Sequence, residues 1–284
     1  MNFWQAILEA LESVTANKMR SGLTILGIVI GVAAVIAMLA VGDGAQASIT
    51  GSISGIGSNL LFVFPGNRQE EVRFVEPLTL SDAQALADVF QAPAVQDIAP
   101  VIADNLEVSY GGERRRVSIN GVTPAYQPVR SYDLLEGEFI SEDQILGKAS
   151  VALIGVDVAD RFFQRREAIV GETLRIEGQP FRIIGVLAPK GGGSFGSQDD
   201  VVLSPSTPAE SRLIRRSRDQ VDVIYIQSVD ADSVTEAADQ VTQILRARHR
   251  ITIGPNDFTV FSQQDFVETA RTITGVFTIF LGGI

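Results

Sequence analysis

The stretch LTILGIVIGVAAVIAMLAV, Leu23–Val41, contains no charged residue in a chain that is otherwise polar and acidic. As an α-helix, its nineteen residues would extend about 28 Å, close to the ~30 Å hydrocarbon thickness of a bilayer. A helix in the core of a soluble domain is rarely apolar on every side over such a length. We therefore predict that residues 23–41 form a transmembrane helix, which tethers the rest of the chain.

A secretory signal is the main alternative for this stretch. The residues AQAS, Ala45–Ser48, offer an A-x-A cleavage site after Ala47. However, the apolar region of a signal usually has about 7–15 residues and follows a short basic leader. Here the leader has 22 residues and carries Glu9 and Glu12. Both its length and its charges favour a helix that remains in the membrane.

The leader has a helical pattern of its own. Its apolar residues recur at helical spacing, with polar residues opposite them: Phe3, Trp4, Ile7, Leu8, Leu11 and Val14. This pattern predicts an amphipathic helix over residues 1–22 that lies in the membrane interface and contacts lipid, with Trp4 at headgroup level. A surface helix of a soluble domain has the same pattern, but the adjacent apolar stretch favours the interfacial helix.

Basic residues predict the orientation of the chain. Lys18 and Arg20 precede the apolar stretch, and no Lys or Arg follows it until Arg68. Because basic flanks stay preferentially in the cytoplasm, the N-terminus is predicted to be cytoplasmic. Residues 42–272 are then predicted to form an extracytoplasmic domain.

The composition argues against several functional classes. The 284 residues carry a formal net charge of −11, whereas a nucleic-acid partner would require a basic surface. The chain has no cysteine and a single histidine, His249. Disulfides, thiolate metal sites and cysteine nucleophiles are therefore excluded, and little imidazole chemistry is available.

Between the two ends the sequence predicts an α+β domain made of two similar halves. Each half reads strand–helix–strand, with predicted strands at Asn59–Phe64, Val95–Pro100, Leu106–Tyr110, Val221–Val229 and Phe258–Phe261. The first helix, Asp82–Phe90, is predicted to start with a capping box formed by Ser81 and Gln84. The second follows a predicted capping box formed by Ser233 and Glu236, and its apolar face includes Val234 and Val241.

A β-rich insert, roughly residues 111–208, separates the two halves. Its short predicted strands are RRVSING, VALIG, GETLRIEG, PFRIIGVL and DVVLSP, and one short helix is predicted at Asp157–Gln164. Neither half has enough apolar surface to be stable alone, so the halves and the insert are predicted to form one composite domain.

The segment GGSFG, Gly192–Gly196, matches the G-x-S-x-G pattern of serine hydrolases, with Ser194 as the nucleophile and His249 downstream. That pattern requires a strand, a tight turn and then a helix. Here SQDDVVLSP follows, which is typical of a loop and a strand. The glycines Gly191–Gly193 suggest a mobile loop. His249 also lies in RARHR, among like charges that would oppose an imidazolium. We therefore predict no catalytic residue.

Cofactor and metal motifs are not found in the sequence. It contains no G-x-x-x-x-G-K-[ST] and no G-x-G-x-x-G that opens a helix. Acidic pairs such as Asp199–Asp200 lack the spacing of a calcium loop. The cations of RARHR, at the predicted end of a helix, would complement the helix dipole. No cofactor and no metal ligand is predicted.

The last residues are apolar again. GVFTIFLGGI, Gly275–Ile284, follows SQQDFVETARTIT, in which Ser262 can cap a helix. The simplest interpretation is that residues 273–284 begin a second transmembrane helix. An apolar tail packed on the outer domain is the alternative.

The order of these segments resembles the MacB/FtsX-like permease family of ABC transporters. The opening, ALESVTANKMRSGLTILGIVIGVAAVIAMLAVGDGAQASI, is similar to that of the family, as are GSNLLFVFPG, YDLLEGEFIS, VALIGVDVADRFF and VGETLRIEGQPFRIIGVL. The resemblance covers nearly the whole chain, and it is specific because of the order of the segments. It implies a porter-like base formed by the two halves, with the insert as a second subdomain.

The resemblance also implies a function. Members of the family are dimers with four spans per chain, and they work with a separate or fused cytoplasmic ABC ATPase. The permease transmits ATP-driven motion to its outer domain, for efflux or for lipoprotein or peptide export. A MacB-like member in the inner membrane would also use a periplasmic adaptor and an outer-membrane channel. The FtsX-like and lipoprotein-releasing branches stay open, as does a membrane-anchored binding module without transport. The ending departs from the family pattern, since the later spans are not in the sequence.

Overall fold

The structure is a computed structural model that describes residues 4–5, 17–54, 59–67, 70–72, 74–193, 196–214, 219–262, 265, 268–269, 272 and 275–276. The chain divides into two compact units. One consists of Met1–Ile49 together with Glu268–Ile284, and the other is Thr50–Val267. Most of the predicted interfacial helix over residues 1–22 and of the second apolar stretch over 273–284 lies outside the described residues.

The predicted apolar helix is confirmed, and it is longer than the apolar stretch. Helix α1 spans Lys18–Ser54, and its Lys18–Met38 segment is long and apolar enough to cross a membrane. Leu23, Ile28 and Ile36 are each more than half exposed. A helix in the core of a soluble domain would bury such side chains, so the exposure agrees with lipid contact.

Twelve strands are found among the described residues: β1 (Leu60–Pro65), β2 (Val95–Tyr110), β3 (Glu113–Val122), β4 (Leu134–Gly137), β5 (Val151–Ile154), β6 (Thr173–Ile176), β7 (Gln179–Leu187), β8 (Gly192–Gly193), β9 (Gly196–Ser197), β10 (Val201–Pro205), β11 (Val223–Ser228) and β12 (Phe258–Ser262). Ten of them form one sheet in the order β12-β1-β11-β2-β3-β10-β5-β7-β4, with β6 paired to β2 and β7. The remaining two, β8 and β9, form a separate hairpin.

Six further α-helices follow α1 in the described residues: α2 (Leu80–Leu86), α3 (Tyr126–Val129), α4 (Glu142–Leu146), α5 (Val156–Phe163), α6 (Ser206–Pro208) and α7 (Val234–Arg248). A π-helical turn, Ala209–Leu213, continues α6. The first half is thus β1–α2–β2 and the second is β11–α7–β12. The predicted α+β architecture, with two such halves flanking a β-rich insert, is confirmed.

The prediction of two separate strands in the region of β2 was wrong. The sequence predicted two strands, Val95–Pro100 and Leu106–Tyr110, whereas the structure has a single strand of 16 residues. Residues 101–105, between the two predicted strands, also belong to the strand and have partners on neighbouring segments. The backbone N–H of Ala103 donates to Oδ2 of Asp222, and Asp104 is paired with Ile119 of β3. One end of β2 therefore pairs with β11 of the second half, and the other end pairs with β3 of the insert.

The sheet buries apolar side chains on both faces. Leu61 and Val63 of β1 belong to one core, together with apolar residues of α2, α5 and α7. Leu60 and Phe62, which point the other way, belong to a second core with α3. Both cores contain residues of the halves and of the insert, in agreement with the predicted composite domain.

Two predicted helix caps were wrong. Helix α2 starts after Thr79, whose side chain and backbone form a reciprocal capping box with Asp82 rather than with Ser81 and Gln84. It ends at Leu86, four residues before the predicted end at Phe90. Ser233 precedes α7 but makes no side-chain cap, because its hydroxyl donates to Oδ1 of Asp230 at 2.6 Å.

Other local predictions are confirmed. Val234, Ala237, Val241, Ile244 and Leu245 form the buried face of α7. Ser262 makes hydrogen bonds of the kind found at a helix cap: its backbone N–H and hydroxyl donate to Oδ2 of Asp265, each at 2.7 Å, and its hydroxyl accepts from the N–H of Asp265. Most of the segment that it was predicted to cap lies outside the described residues.

Candidate functional site

Strands β1 and β12 carry the connections between the sheet and the two apolar segments. Strand β1 follows helix α1 in the sequence, and β12 precedes the second apolar stretch. The two strands are antiparallel neighbours, in register from Leu61 opposite Ser262 to Pro65 opposite Phe258. Strand β12 lies at one end of the strand order. The strand that follows α1 and the strand that precedes the second apolar stretch are thus hydrogen-bonded to each other.

A group of four charged side chains, three of them buried, joins the two halves. We call Asp82, Arg248, His249 and Asp257 the ion cluster. Asp82 lies in the first turn of α2, Arg248 and His249 at the end of α7, and Asp257 just before β12. Nδ1 of His249 is 2.9 Å from Oδ1 of Asp257, and its Nε2 is 3.6 Å from Oδ2 of Asp82. Asp82, His249 and Asp257 are all buried.

Hydrogen bonds fix the two carboxylates of the ion cluster. Asp82 accepts from the backbone N–H and the hydroxyl of Thr79 at 2.9 and 2.6 Å, and from Nε of Arg248 at 2.5 Å. Oδ2 of Asp257 accepts from the N–H of Glu76 at 3.0 Å, and its backbone carbonyl accepts from the N–H of Gly66 at 2.7 Å. Asp257 thereby links the end of β1, the segment before α2 and the end of α7.

The charges of the ion cluster reinforce one another. The carboxylates of Asp82 and Asp257 raise the pKa of His249 to about 9, although burial alone would lower it. The imidazole is therefore charged at neutral pH. Burial disfavours the charged form of Asp82, but the nearby imidazole of His249 and hydrogen bonds from Thr79 and Arg248 outweigh this effect and hold the pKa of Asp82 well below its usual range. The prediction that neighbouring cations oppose an imidazolium at His249 was wrong, because the fold brings two distant carboxylates to the ring.

A second group, the cation–aromatic cluster, joins the halves to the insert. Arg130, at the end of α3, is buried, and its Cζ lies 4.8 Å from the ring centroid of Tyr225 in β11 and 6.0 Å from that of Phe62 in β1. Tyr126 of α3 also contacts Tyr225 edge-on, with centroids 5.6 Å apart. The guanidinium donates to Oε1 of Gln198 at 2.9 Å. Stacking and cation–π attraction therefore connect the insert to strands of both halves.

Lys190 extends the cation–aromatic cluster. Its Nζ donates to the carbonyl of Arg130 and lies 4.3 Å from the ring centroid of Tyr132. Burial and the nearby charge of Arg130 lower the pKa of Lys190 to about 8. Burial also raises the pKa of Tyr126 and Tyr225, so these hydroxyls stay neutral at physiological pH.

The hydrolase hypothesis finds no support in the described residues. Ser194 lies outside them, but the glycines around it form the β8–β9 hairpin. The next element is strand β10, whereas the hydrolase pattern requires a helix. Asp199 accepts from the N–H groups of Lys190 and Gly191, each at 2.8 Å, at the base of this hairpin. His249 belongs to the ion cluster, with its two ring nitrogens facing Asp257 and Asp82.

Sequence reasoning did not single out the residues of these two clusters, apart from Arg248 and His249. Asp82 and Asp257 occur as isolated acidic residues in loops or first turns, where such residues are common. Arg130 follows a four-residue helix without any recognisable motif. No local signal marks them, since their roles depend on residues far away in the sequence.

Comparisons with known proteins give consistent results. Residues 21–244 match the family described as the MacB-like periplasmic core domain. A protein of Bdellovibrio bacteriovorus named macrolide export ATP-binding/permease protein MacB is 33% identical over 285 residues, which cover 97% of this chain and 43% of that protein. A protein of the same name from Rhodospirillum rubrum is 34% identical, with 100% of this chain and 43% of that protein covered. The chain thus spans less than half the length of these curated relatives.

Two solved structures share the fold. The periplasmic region of MacB from Actinobacillus actinomycetemcomitans gives a TM-score of 0.63 at 22% identity, covering 77% of this chain and 95% of that structure. The extracellular domain of the ABC-type transporter YknZ from Gram-positive bacteria gives 0.58 at 17% identity, covering 72% of this chain and 100% of that one. At these identities the two structures support the fold alone.

Proposed function

This chain belongs to the family of the MacB-like periplasmic core domain, and from that premise we propose that it is part of an ABC transporter permease that transmits ATP-driven motion to an extracytoplasmic domain. The energy would come from a cytoplasmic ABC ATPase, and the outer domain would carry out efflux or the export of a lipoprotein or peptide. The two relatives compared above are named for macrolide export, so a macrolide is the first substrate to test.

The pairing of β1 with β12 carries this proposal. The two strands nearest in sequence to the apolar segments are hydrogen-bonded over five residue pairs. A movement of either segment would therefore shift both strands as one unit. A binding module tethered only for localisation has no need to join its two connections in this way.

The ion cluster and the cation–aromatic cluster would pass the movement onward. The first ties β12 to α2 and α7, and thus one half to the other. The second ties β1 and β11 to the insert. Charged hydrogen bonds and stacked rings in buried positions resist shear better than solvated contacts do. A force applied at the β1–β12 pair would then move the whole domain.

The same proposal includes the topology and the partners. The N-terminus would be cytoplasmic and the domain extracytoplasmic, in the inner membrane of a bacterium. The permease would form a homodimer, and a periplasmic adaptor and an outer-membrane channel would complete the route where an outer membrane exists. Gly27 and Gly31 have open space around them, which would let another helix approach α1 closely.

A transport assay tests the proposal. The full-length permease and its ABC ATPase would be expressed in cells that lack macrolide pumps, and accumulation of a radiolabelled macrolide would be measured. We expect lower accumulation than with an ATPase whose P-loop lysine is replaced. Equal accumulation in both strains for macrolides, lipopeptides and lipoproteins, together with ligand binding by the isolated chain, would favour the anchored binding module instead.

A further inference from the structure

A group of metal-binding side chains adjoins the ion cluster. Glu76, His249 and Asp257 each offer one donor atom, and these atoms lie within 4.8 Å of one another. They come from the segment before α2, the end of α7 and the segment before β12. We propose that these three residues bind a divalent cation, Zn²⁺, and that the bound metal cross-links the two halves of the domain.

The donor set suits Zn²⁺. Zinc in proteins is bound tetrahedrally by imidazole nitrogen at about 2.0–2.1 Å and by carboxylate oxygen at about 2.0–2.2 Å. Donor atoms in such a site are therefore about 3.3 Å apart. Nδ1 of His249 already lies 2.9 and 3.0 Å from the two carboxylate oxygens of Asp257. Small outward shifts of these two side chains would make room for the ion.

Glu76 can complete the set without disturbing the core. Its backbone N–H is held by Asp257 at 3.0 Å, while its side chain is exposed. No ion pair of its carboxylate is found among the described residues, and its donor oxygen already lies within 4.8 Å of the donor atoms of His249 and Asp257. A water molecule would occupy the fourth position, on the solvent side of the ion.

Asp82 is placed to accept the second hydrogen bond that a zinc-bound histidine usually makes. A metal-bound imidazole generally donates its other N–H to a carboxylate, which fixes the ring. Nε2 of His249 faces Oδ2 of Asp82 at 3.6 Å and has no hydrogen-bond partner in the described structure. Asp82 itself is held by Thr79 and Arg248. Asp82 is thus placed to orient the imidazole toward the metal.

The charges around the group favour a cation. Three carboxylates, those of Glu76, Asp82 and Asp257, lie around His249, and Arg248 is paired with one of them. Around a neutral imidazole, two negative charges are then left over. A doubly charged ion bound by the imidazole balances them. Nearby Arg246 is directed to the carbonyl of Gly254 and the amide of Asn256.

Metal titrations of the full-length chain in nanodiscs test the proposal. After removal of metals with a chelator, Zn²⁺ binding would be measured by calorimetry and Co²⁺ binding by the visible absorption of tetrahedral Co²⁺. The variants are Glu76→Gln and, as matched control, Glu70→Gln, an exposed glutamate of the same segment. We expect one site in the unmodified chain and the control, and a loss of about tenfold or more in affinity for Glu76→Gln.

Two further measurements test whether Zn²⁺ replaces the proton on His249. Binding of Zn²⁺ near neutral pH should release a proton from His249, so the calorimetric heat should depend on the ionisation enthalpy of the buffer. Asp82→Asn should weaken binding by about 10–100-fold, with folding checked by circular dichroism. The proposal is overturned if the unmodified chain binds no Zn²⁺, or if Glu76→Gln and Glu70→Gln bind it equally well.

Discussion

Arg248 and Asp82 lie 166 residues apart in the sequence, and Nε of the arginine donates a 2.5 Å hydrogen bond to Oδ1 of the aspartate. This contact joins the last turn of α7 to the first turn of α2. It unites two helices that belong to different halves of the domain. The stability of the domain should therefore depend on single residues of the ion cluster.

Asp82→Asn should destabilise the domain by about 3 kcal/mol, the usual cost of leaving a buried charge without its partner. The variant keeps the shape of the side chain but removes the charge that faces Arg248 and His249. Denaturant unfolding of the chain in nanodiscs would measure the loss. The control, Asp239→Asn on the exposed side of α7, should change the free energy of unfolding by less than about 0.5 kcal/mol. Equal effects would contradict the role of the ion cluster.

The stability of the domain should fall in alkaline solution because of His249. Its pKa is about 9 in the folded state and about 6.5 in an unfolded chain. Its contribution is therefore complete below pH ~6.5 and is lost as the pH rises through about 9. Thermal unfolding would be followed from pH 6 to 10. A chelator would be present, so that no metal ion replaces the proton of the imidazole. In His249→Gln this decline should be much smaller.

Acid should weaken the ion cluster through Asp82, whose pKa is depressed in the folded state. A depressed carboxylate contributes stability above its unfolded pKa of about 3.9, and this contribution is lost as the pH falls further. Unfolding midpoints between pH 5 and 2 would test this in the unmodified chain and in Asp82→Asn. The two curves should approach each other as the pH falls from about 4 to 2, and curves that stay parallel would contradict the assignment.

If the chain works as the proposed permease, Arg130→Lys should impair transport more than ATP hydrolysis by the partner ATPase. A lysine loses the stacking on Tyr225 and the planar bond to Gln198. We expect about 1–3 kcal/mol of lost stability and reduced macrolide export with ATPase activity retained. Export and ATPase assays on the same membranes would measure both. Arg115→Lys, at an exposed position of β3, is the matched control and should behave as the unmodified protein does.

Gly137 should tolerate no side chain. It has φ +86, and a Cβ there would lie 2.0 Å from the carbonyl oxygen of Ile184. Gly178 has a similar φ of +78 but open space around it. Gly178→Ala should cost about 1 kcal/mol for the left-handed backbone alone, whereas Gly137→Ala should cost clearly more. Unfolding midpoints of the two variants separate backbone strain from steric overlap.

The proposed topology can be tested by cysteine labelling, because the chain has no cysteine of its own. Ser13→Cys lies before the apolar stretch, and Asp232→Cys lies in the outer domain. A membrane-impermeant maleimide added to cells with a permeable outer membrane should label only the second variant. Labelling of both variants from outside would contradict the orientation drawn from Lys18 and Arg20.

Local sequence patterns predicted most elements of the fold but not the contacts between them. The apolar face of α7 and strands such as Val223–Ser228 follow from periodicity, which is a property of neighbouring residues. The continuity of β2 could not be predicted, since the pairing of Asp104 and the hydrogen bond from Ala103 to Asp222 depend on distant strands. The start of α2 was misplaced by two residues because Ser81 and Thr79 are both good caps, and only the position of Asp82 decides between them.

The candidate sites were less accessible to sequence analysis. His249 was noticed as the single histidine of the chain, but its neighbours in the sequence are arginines, and they predicted the wrong electrostatic environment. Its actual environment is created by Asp82 and Asp257. Charge interactions inside a folded domain depend on spatial distance, and only a structure supplies that distance.

Strand β2 runs unbroken for 16 residues, a length of about 50 Å at ~3.3 Å per residue. The strand pairs with β11 at one end and with β3 at the other. A small rotation applied where it pairs with β11 would reach its far end as a larger sideways sweep of the insert. The displacement of the insert would then increase with the length of the strand.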